Sequence, residues 1–200
     1  MAKLYYQGHG SFRLTSANGT VLYVDPYVGD GYQLPADYIL VTHEHGDHNQ
    51  ISLVTKKPEC QIIRAEDCIK DGNYATFSLN DGLTVQAVPA YNQNHRREEC
   101  VGYVITIDNV TVYAAGDTST IPEMASILAP MHLDYAILPT DGHYNMGPEE
   151  AASCAQVIGA KHTIPIHTKP GELFDESVAM RMEHPSRCIV RPGQEIDLSV

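Results

Sequence analysis

Four potential metal ligands fall within six residues of this chain: His43, His45, Asp47 and His48, in the run Thr42-His43-Glu44-His45-Gly46-Asp47-His48. Imidazole nitrogens bind zinc, iron, manganese or copper. A carboxylate in the same cluster favours a hard, hydrolytic divalent ion over a thiolate-held structural one. A closed structural zinc site would draw on cysteine, yet Cys60, Cys68, Cys100, Cys154 and Cys188 form no Cys-x-x-Cys pair and none lies near the cluster in sequence.

Such a cluster works only if something aims it. The apolar run Tyr38-Ile39-Leu40-Val41 reads as a buried strand ending at the cluster, and Gly46 breaks regular structure where several side chains must turn towards one point. The pattern recurs at 112–115, where a strand ends in Gly116 and then Asp117, and at Ile164-Pro165-Ile166, which ends in His167. Asp117 and His167 are therefore second-site candidates, whereas His162 has only a packing role. Further strands are expected at 12–14, 21–24, 61–64, 74–79, 83–88 and 135–138. A hairpin of 103–107 with 110–115 turns at Asp108-Asn109. Thr120 with Glu123 predicts a capped helix over 120–128. Gly147-Pro148-Glu149-Glu150 opens a second helix that Gly159 closes, and 172–183 predicts a third. Strands early and helices late place sheets in the middle with helices outside.

The 200 residues suffice for one substantial core and contain no linker or low-complexity stretch, so one domain, 1–200, is expected. A formal charge of −12 argues against general nucleic-acid or anionic-membrane binding, which needs a basic face. Bound divalent cations would offset part of it. The first nine residues have no apolar signal core and no stretch approaches a membrane span, so the expected location is cytoplasmic; five scattered cysteines fit a reducing compartment. A homo-oligomer is left open.

Asp25-Pro26, the His43-x-His45-x-Asp47-His48 run, His95, Gly116-Asp117-Thr118 and Pro165-Ile166-His167 together resemble the metallo-β-lactamase superfamily over nearly the whole chain. Gly8-His9-Gly10-Ser11, Pro89-Ala90-Tyr91-Asn92 and the stretch from Ile137-Leu138-Pro139 through Tyr144-Asn145-Met146 resemble its short UlaG-like hydrolases. The resemblance implies an α/β fold, an αβ/βα four-layer sandwich of two mixed sheets with helices outside and metals at one sheet edge. It assigns His43, His45 and His95 to a first metal, Asp47, His48 and His167 to a second, and Asp117 to a bridge. Many relatives place the third histidine directly after Pro-Ala, where this chain has Tyr91 and Asn92; either His95 supplies the ligand from a few residues later or the first site is incomplete. Asp25 resembles a buried carboxylate that orients the histidine loop without coordinating.

Two divalent ions, zinc first with manganese or iron as alternatives, would sit about 3.5–4 Å apart and share a water as hydroxide, making the chain a metal-dependent hydrolase without a Ser or Cys nucleophile. Asp47 would orient that water. His9, His143 or Tyr144 would protonate the leaving group. Arg96, Arg97 and Lys169 would ring the mouth and attract a small anionic metabolite, phosphorylated or carboxylated, cleaved at a phosphodiester, lactone or related bond. A nuclease, a di-iron redox protein and a metal-binding regulator without turnover are the alternatives.

Overall fold

A computed structural model describes all 200 residues of the chain except the side chain of Asp81. Two six-stranded sheets carry the architecture. The first runs, in spatial order, β14 (Glu195–Asp197), β1 (Lys3–Gly8), β2 (Ser11–Thr15), β3 (Val21–Val24), β4 (Ala36–Leu40) and β5 (Lys56–Ile63). The second runs β13 (His162–Ile166), β12 (Tyr135–Pro139), β11 (Val110–Ala114), β10 (Val101–Ile107), β9 (Thr84–Pro89) and β8 (Thr76–Ser78), while β6 (Ile69–Lys70) and β7 (Asn73–Tyr74) form a separate short ladder.

Strand direction decides where the chemistry collects. β1 is antiparallel to β2, β2 is antiparallel to β3, and β3 is parallel to β4, so β1, β3 and β4 point the same way. By the same reasoning β9, β11, β12 and β13 share one direction in the second sheet. Their carboxyl ends lead, in turn, into His9, Asp25 and His43, and into the 90–95 loop, Asp117, Asp141 and His167. Backbone bonds from Val101 N to the Thr42 carbonyl (3.0 Å) and from His167 N to the His9 carbonyl (2.9 Å) tie the two sets of ends together.

The facing sheets bury a shared core that includes Tyr6, Leu14 and Leu40 from the first and Tyr103, Ile105 and Ile137 from the second. Each such aliphatic side chain contributes about 1.5–3 kcal/mol by leaving water. The outer face of the second sheet packs on α2 (Pro148–Ile158) through Ala151, Cys154, Ala155 and Ile158, with Met182, next to α3 (Glu176–Arg181), in the same cluster. The first sheet's outer face is covered instead by loop residues Tyr32 and Val54, and α1 (Ala65–Cys68) is a single turn. The αβ/βα sandwich is present, with an uneven outer layer.

Several boundaries differ from those the sequence predicts. β1 and β14 are added. β5 begins five residues early and carries Lys56, Lys57 and Pro58, which an edge strand tolerates. Residues 120–128 form no capped α-helix: Thr120 Oγ1 donates to Glu150 at 2.7 Å and Glu123 accepts from Tyr91 and Arg97, so neither caps. A wide π turn (Met124–Leu128) and a 3-10 turn (Ala129–Met131) stand there instead. α3 starts only after Asp175, whose carboxylate accepts from Ser177 N and Val178 N.

Tyr103 is fully buried and donates its hydroxyl to the Val41 carbonyl at 2.9 Å, joining β10 to the residue that precedes the histidine loop. Tyr103→Phe orphans that carbonyl, and the expected cost is about 1 kcal/mol. A lower urea midpoint at unchanged slope would show it; an unchanged midpoint would remove the bond from the list of supports.

Candidate metal centre

The loop after β4 folds back on itself so that His43 and His48 are buried, His45 is exposed and Asp47 is half-buried. Asp25, at the end of β3, holds this loop from beneath. Its carboxylate accepts from Thr42 N (2.7 Å), Thr42 Oγ1 (2.7 Å) and His48 Nδ1 (2.8 Å). Two glycines make room: a Cβ on Gly10 would stand 2.8 Å from His48 Cε1, and one on Gly116, whose φ is +63°, would stand 3.0 Å from Thr42 Cβ. His9, Asp25 and His167 themselves take left-handed φ values of 54°, 46° and 44°. Such conformations cost about 1–2 kcal/mol each for residues with a side chain and collect at functional sites.

Second-layer partners decide which imidazole nitrogen is free. The Thr42 hydroxyl proton is spent on Asp25, so His43 Nδ1 donates to Thr42 Oγ1 at 2.9 Å. His48 Nδ1 donates to Asp25, and His95 Nδ1 donates to Asn92 Oδ1 at 2.9 Å. His167 Nδ1 faces Asp141 Oδ2 at 3.2 Å as an ion pair whose angles are not those of a hydrogen bond. In each ring Nε2 is left pointing inward. His43 Nε2, His48 Nε2 and His167 Nε2 are buried with no hydrogen-bond partner, an arrangement that fits a cation and little else.

Asp117 stands in their midst. Its carboxylate lies 3.2 Å from His95 Nε2, 3.4 Å from His48 Nε2, 3.6 Å from His167 Nε2 and 3.9 Å from His43 Nε2. The donor atoms fall into three overlapping groups that could hold a metal: His43, His45 and His95; His43, His48 and Asp117; and His9, Asp47, His48 and His167. His95 thus reaches the cluster despite its displaced position, because Asn92 Oδ1 accepts from both the backbone and the ring of His95 and curls the loop.

The electrostatics follow. Burial pushes the Asp117 carboxyl up, but the surrounding His48 and His167 rings and the His95 contact outweigh it and hold it well below the carboxylate range. Burial likewise raises Asp47, and His167, His9 and His48 bring it strongly down. Burial, helped by the neighbouring His48, drives His43 well below its ordinary value. His167 is pushed up to about 10: burial lowers it, and Asp117, Asp141 and Asp47 together more than reverse that.

Not every sequence candidate arrives. His9 does: it is wholly buried, with Nδ1 3.0 Å from the Glu172 carbonyl and Nε2 3.0 Å from Asp47 Oδ2. His143 and Tyr144 lie on an exposed turn with their rings against each other, and neither is grouped with the ligand atoms. Of the expected cationic ring, Arg96 borders the cleft beside the histidines, and Arg97 and Lys169 are not among its lining residues. Arg96 pairs with Glu99 (2.9 Å), Arg97 stacks on Tyr91 and pairs with Glu123 (2.6 Å), and Lys169 pairs with Glu172 (2.5 Å). A cleft of about 550 Å³ opens against His43, His45 and His95, and its wall carries Glu44, Glu66, Glu98 and Glu99 with Arg64 and Arg96. Cys100 lines it too, its thiol pushed up to about 12 by burial and the nearby Asp117, and it belongs to none of the three groups of candidate ligand atoms. Asp141 was not anticipated, although it follows β12 in the same strand-then-carboxylate pattern as Asp117.

A family model described as a beta-lactamase superfamily domain matches residues 3–167. The chain belongs to the metallo-β-lactamase superfamily. A UPF0173 metal-dependent hydrolase of Methanoculleus marisnigri is 32% identical, over 82% of this chain and 80% of that protein. One from Thermococcus kodakarensis is 28% identical over 99% and 100%. The crystal structure of a candidate metal-dependent hydrolase from Parabacteroides distasonis superposes with a TM-score of 0.74 at 29% identity, covering 95% of this chain and 92% of that one.

The raised His167 sets the expected pH behaviour of the stripped protein. Its folded value near 10 lies above the ordinary 6.5, so the stabilisation from its proton is complete below about 6.5 and is lost as pH rises through about 10. A metal must displace that proton. Zinc uptake at pH 7.5 should therefore release about one proton per His167 bound, and apparent affinity should climb across that window. Calorimetry in two buffers of different ionisation enthalpy reads the release; buffer-independent heats would contradict it.

Proposed function

We propose that this metal-dependent hydrolase of the metallo-β-lactamase superfamily holds two divalent ions, zinc in first place, with His43, His45 and His95 around one, Asp47, His48 and His167 around the other, and Asp117 between them. The observation that carries the reading is the set of buried, unpartnered Nε2 atoms of His43, His48 and His167 converging on the Asp117 carboxylate. Ions held there supply Lewis acidity, lowering the pKa of water and polarising the scissile carbonyl or phosphoryl group.

The chain's own groups do the rest. Asp25, Thr42, Asn92 and Asp141 hold the ligand rings in the tautomer that leaves Nε2 inward. His9 Nε2 lies 3.0 Å from Asp47 Oδ2, and this pair is the proton relay to the leaving group in preference to the exposed His143 and Tyr144. Substrate enters by the cleft beside His45. Because Arg64 and Arg96 there are already paired with Glu44 and Glu99, the site suits an uncharged acyl bond, such as a lactone, better than a phosphodiester or a nucleic acid. Residues 1–200 act as one catalytic unit. Unbonded cysteines at all five positions support a reducing, cytoplasmic setting, and among the described residues no helix is long and apolar enough to cross a membrane. The Gly8-His9-Gly10-Ser11 segment, which supplies both His9 and the space under His48, supports placement with the UlaG-like hydrolases.

The test pairs substrate choice with ligand removal. With zinc- or manganese-loaded protein, uncharged lactone probes should be hydrolysed with a higher kcat/KM than bis(4-nitrophenyl) phosphate. Asp117→Ala should lose on the order of 100-fold or more while remaining folded. Retained turnover in that variant would end the two-ion mechanism, and a preference for the phosphodiester would reverse the substrate assignment.

A further inference from the structure

Two asparagines that touch no proposed metal ligand atom link the two halves of the centre. Asn92, in the loop after β9, uses both ends of its amide. Oδ1 accepts from Asn94 N (2.8 Å), His95 N (3.0 Å) and His95 Nδ1 (2.9 Å), and Nδ2 donates to the Tyr144 carbonyl (3.0 Å) and to Asn145 Oδ1 (3.1 Å). Asn145, in the turn between β12 and α2, passes the connection on. Its Nδ2 donates to Asp141 Oδ2 at 2.9 Å. Asp141 Oδ1 also accepts from His143 N, Tyr144 N and Asn145 N, so the turn is wound around this carboxylate. The other end of the path is His167 Nδ1, 3.2 Å from Asp141 Oδ2.

We propose that Asn92, Asn145 and Asp141 form a polar strut that positions His95 and His167 as one unit, so that both ions of the proposed centre depend on positioning residues that coordinate neither. The order of groups leaves little freedom. Asn145 must be an amide, because it has to accept from one neighbour and donate to a carboxylate on the other side. Asn92 must be an amide for the converse reason, since it receives three donors on its oxygen and faces two acceptors with its nitrogen. The side chains of Asp141 and Asn145 are almost wholly buried, where a lost partner is costly and where such links transmit position well. Partners of metal-bound imidazoles typically change metal affinity by about 10–100-fold. A strut predicts that the effect crosses from one site to the other.

The inference rests on the two-ion reading, and zinc titration of the stripped full-length protein separates the two. His95→Ala and His167→Ala assign the calorimetric steps. Asn145→Asp keeps the shape but sets a carboxylate against Asp141; both steps should weaken by about tenfold or more. Asn92→Asp retains an acceptor for His95 but loses its donors to the 144–145 turn, and the His167 step should weaken by a similar factor although the change lies on the other side. Adding Asp141→Asn to Asn145→Asp reverses donor and acceptor across that one bond. The His95 step should then recover while the His167 step stays weak, a split that simple loss of packing would not produce. Asn73→Asp, the same change on the exposed β6–β7 hairpin, should bind as the wild type does. If Asn145→Asp fails to fold by circular dichroism, Asn92→Asp decides the matter. A wild type that binds two ions beside an Asn92→Asp variant with an unaltered His167 step overturns the strut alone. Uptake of fewer than two ions by the wild type overturns the two-ion reading and the strut with it.

Discussion

Everything around the centre answers one constraint: buried imidazole nitrogens must stay unpaired beside a buried carboxylate until something binds them. An orphaned buried polar atom costs about 1–3 kcal/mol, and His43, His48 and His167 each contribute one at Nε2. The left-handed backbone at His9, Asp25 and His167 adds to the load. A loop could not hold such a state by itself. It persists because like-directed strands from two packed sheets over-determine each residue's position. Asp117 supplies the negative charge that makes the imidazole cluster tolerable when the site is stripped. The same charge attracts a divalent ion.

Selecting the free nitrogen is the second task, and the fold solves it with a different group each time. A threonine hydroxyl serves His43, an aspartate His48, an amide oxygen His95 and a second aspartate His167. These partners are not equivalent in strength. Burial lowers all three rings; at His48 and His167 the Asp117 charge, joined by Asp25 at the one and by Asp141 and Asp47 at the other, reverses it, whereas at His43 burial and the neighbouring His48 prevail and the ring shifts down. Of these three rings, the two that shift upward are the ones grouped with Asp47.

Local pattern made the candidate ligands legible in the sequence, and long-range partnership hid the groups that hold them. His43, Asp117 and His167 each follow an apolar run, and strand ends are visible to periodicity. Asp141 obeys the same rule after β12 and could have been read the same way. Thr42 and Asn92 could not, since a hydroxyl or amide beside a histidine carries no signal until the loop closes. β14 was missed because it completes the sheet by pairing with β1 across almost the full chain length, whereas β1 also pairs locally with β2 and its Leu4-Tyr5-Tyr6 run carried a readable signal. The 120–128 segment misled for a related reason: its capping residues are spent on Glu150, Tyr91 and Arg97. The pairing of the three cations near the mouth was legible only in part. Arg96 with Glu99 and Lys169 with Glu172 are i,i+3 pairs that sequence displays, while Arg97 with Glu123 is not.

The two sides of the centre also differ in access, and this bears on how a substrate would meet it. His45 is exposed and borders the cleft together with His43 and His95. The opposite side lies under the 168–175 segment, whose Glu172 and Leu173 carbonyls accept from His9 Nδ1 and His9 N. A Cβ on Gly8 would meet Leu173 at 2.9 Å, so that cover is closely seated. A molecule in the cleft therefore reaches the His43, His45 and His95 cluster first, while Asp47 and His9 lie on the covered side. That asymmetry sets the residues that border the cleft apart from the His9–Asp47 pair. It follows from strand order, because β4 and β9 lie towards one side of their sheets and end beside the cleft while β1 and β13 lie towards the other and end beneath the cover.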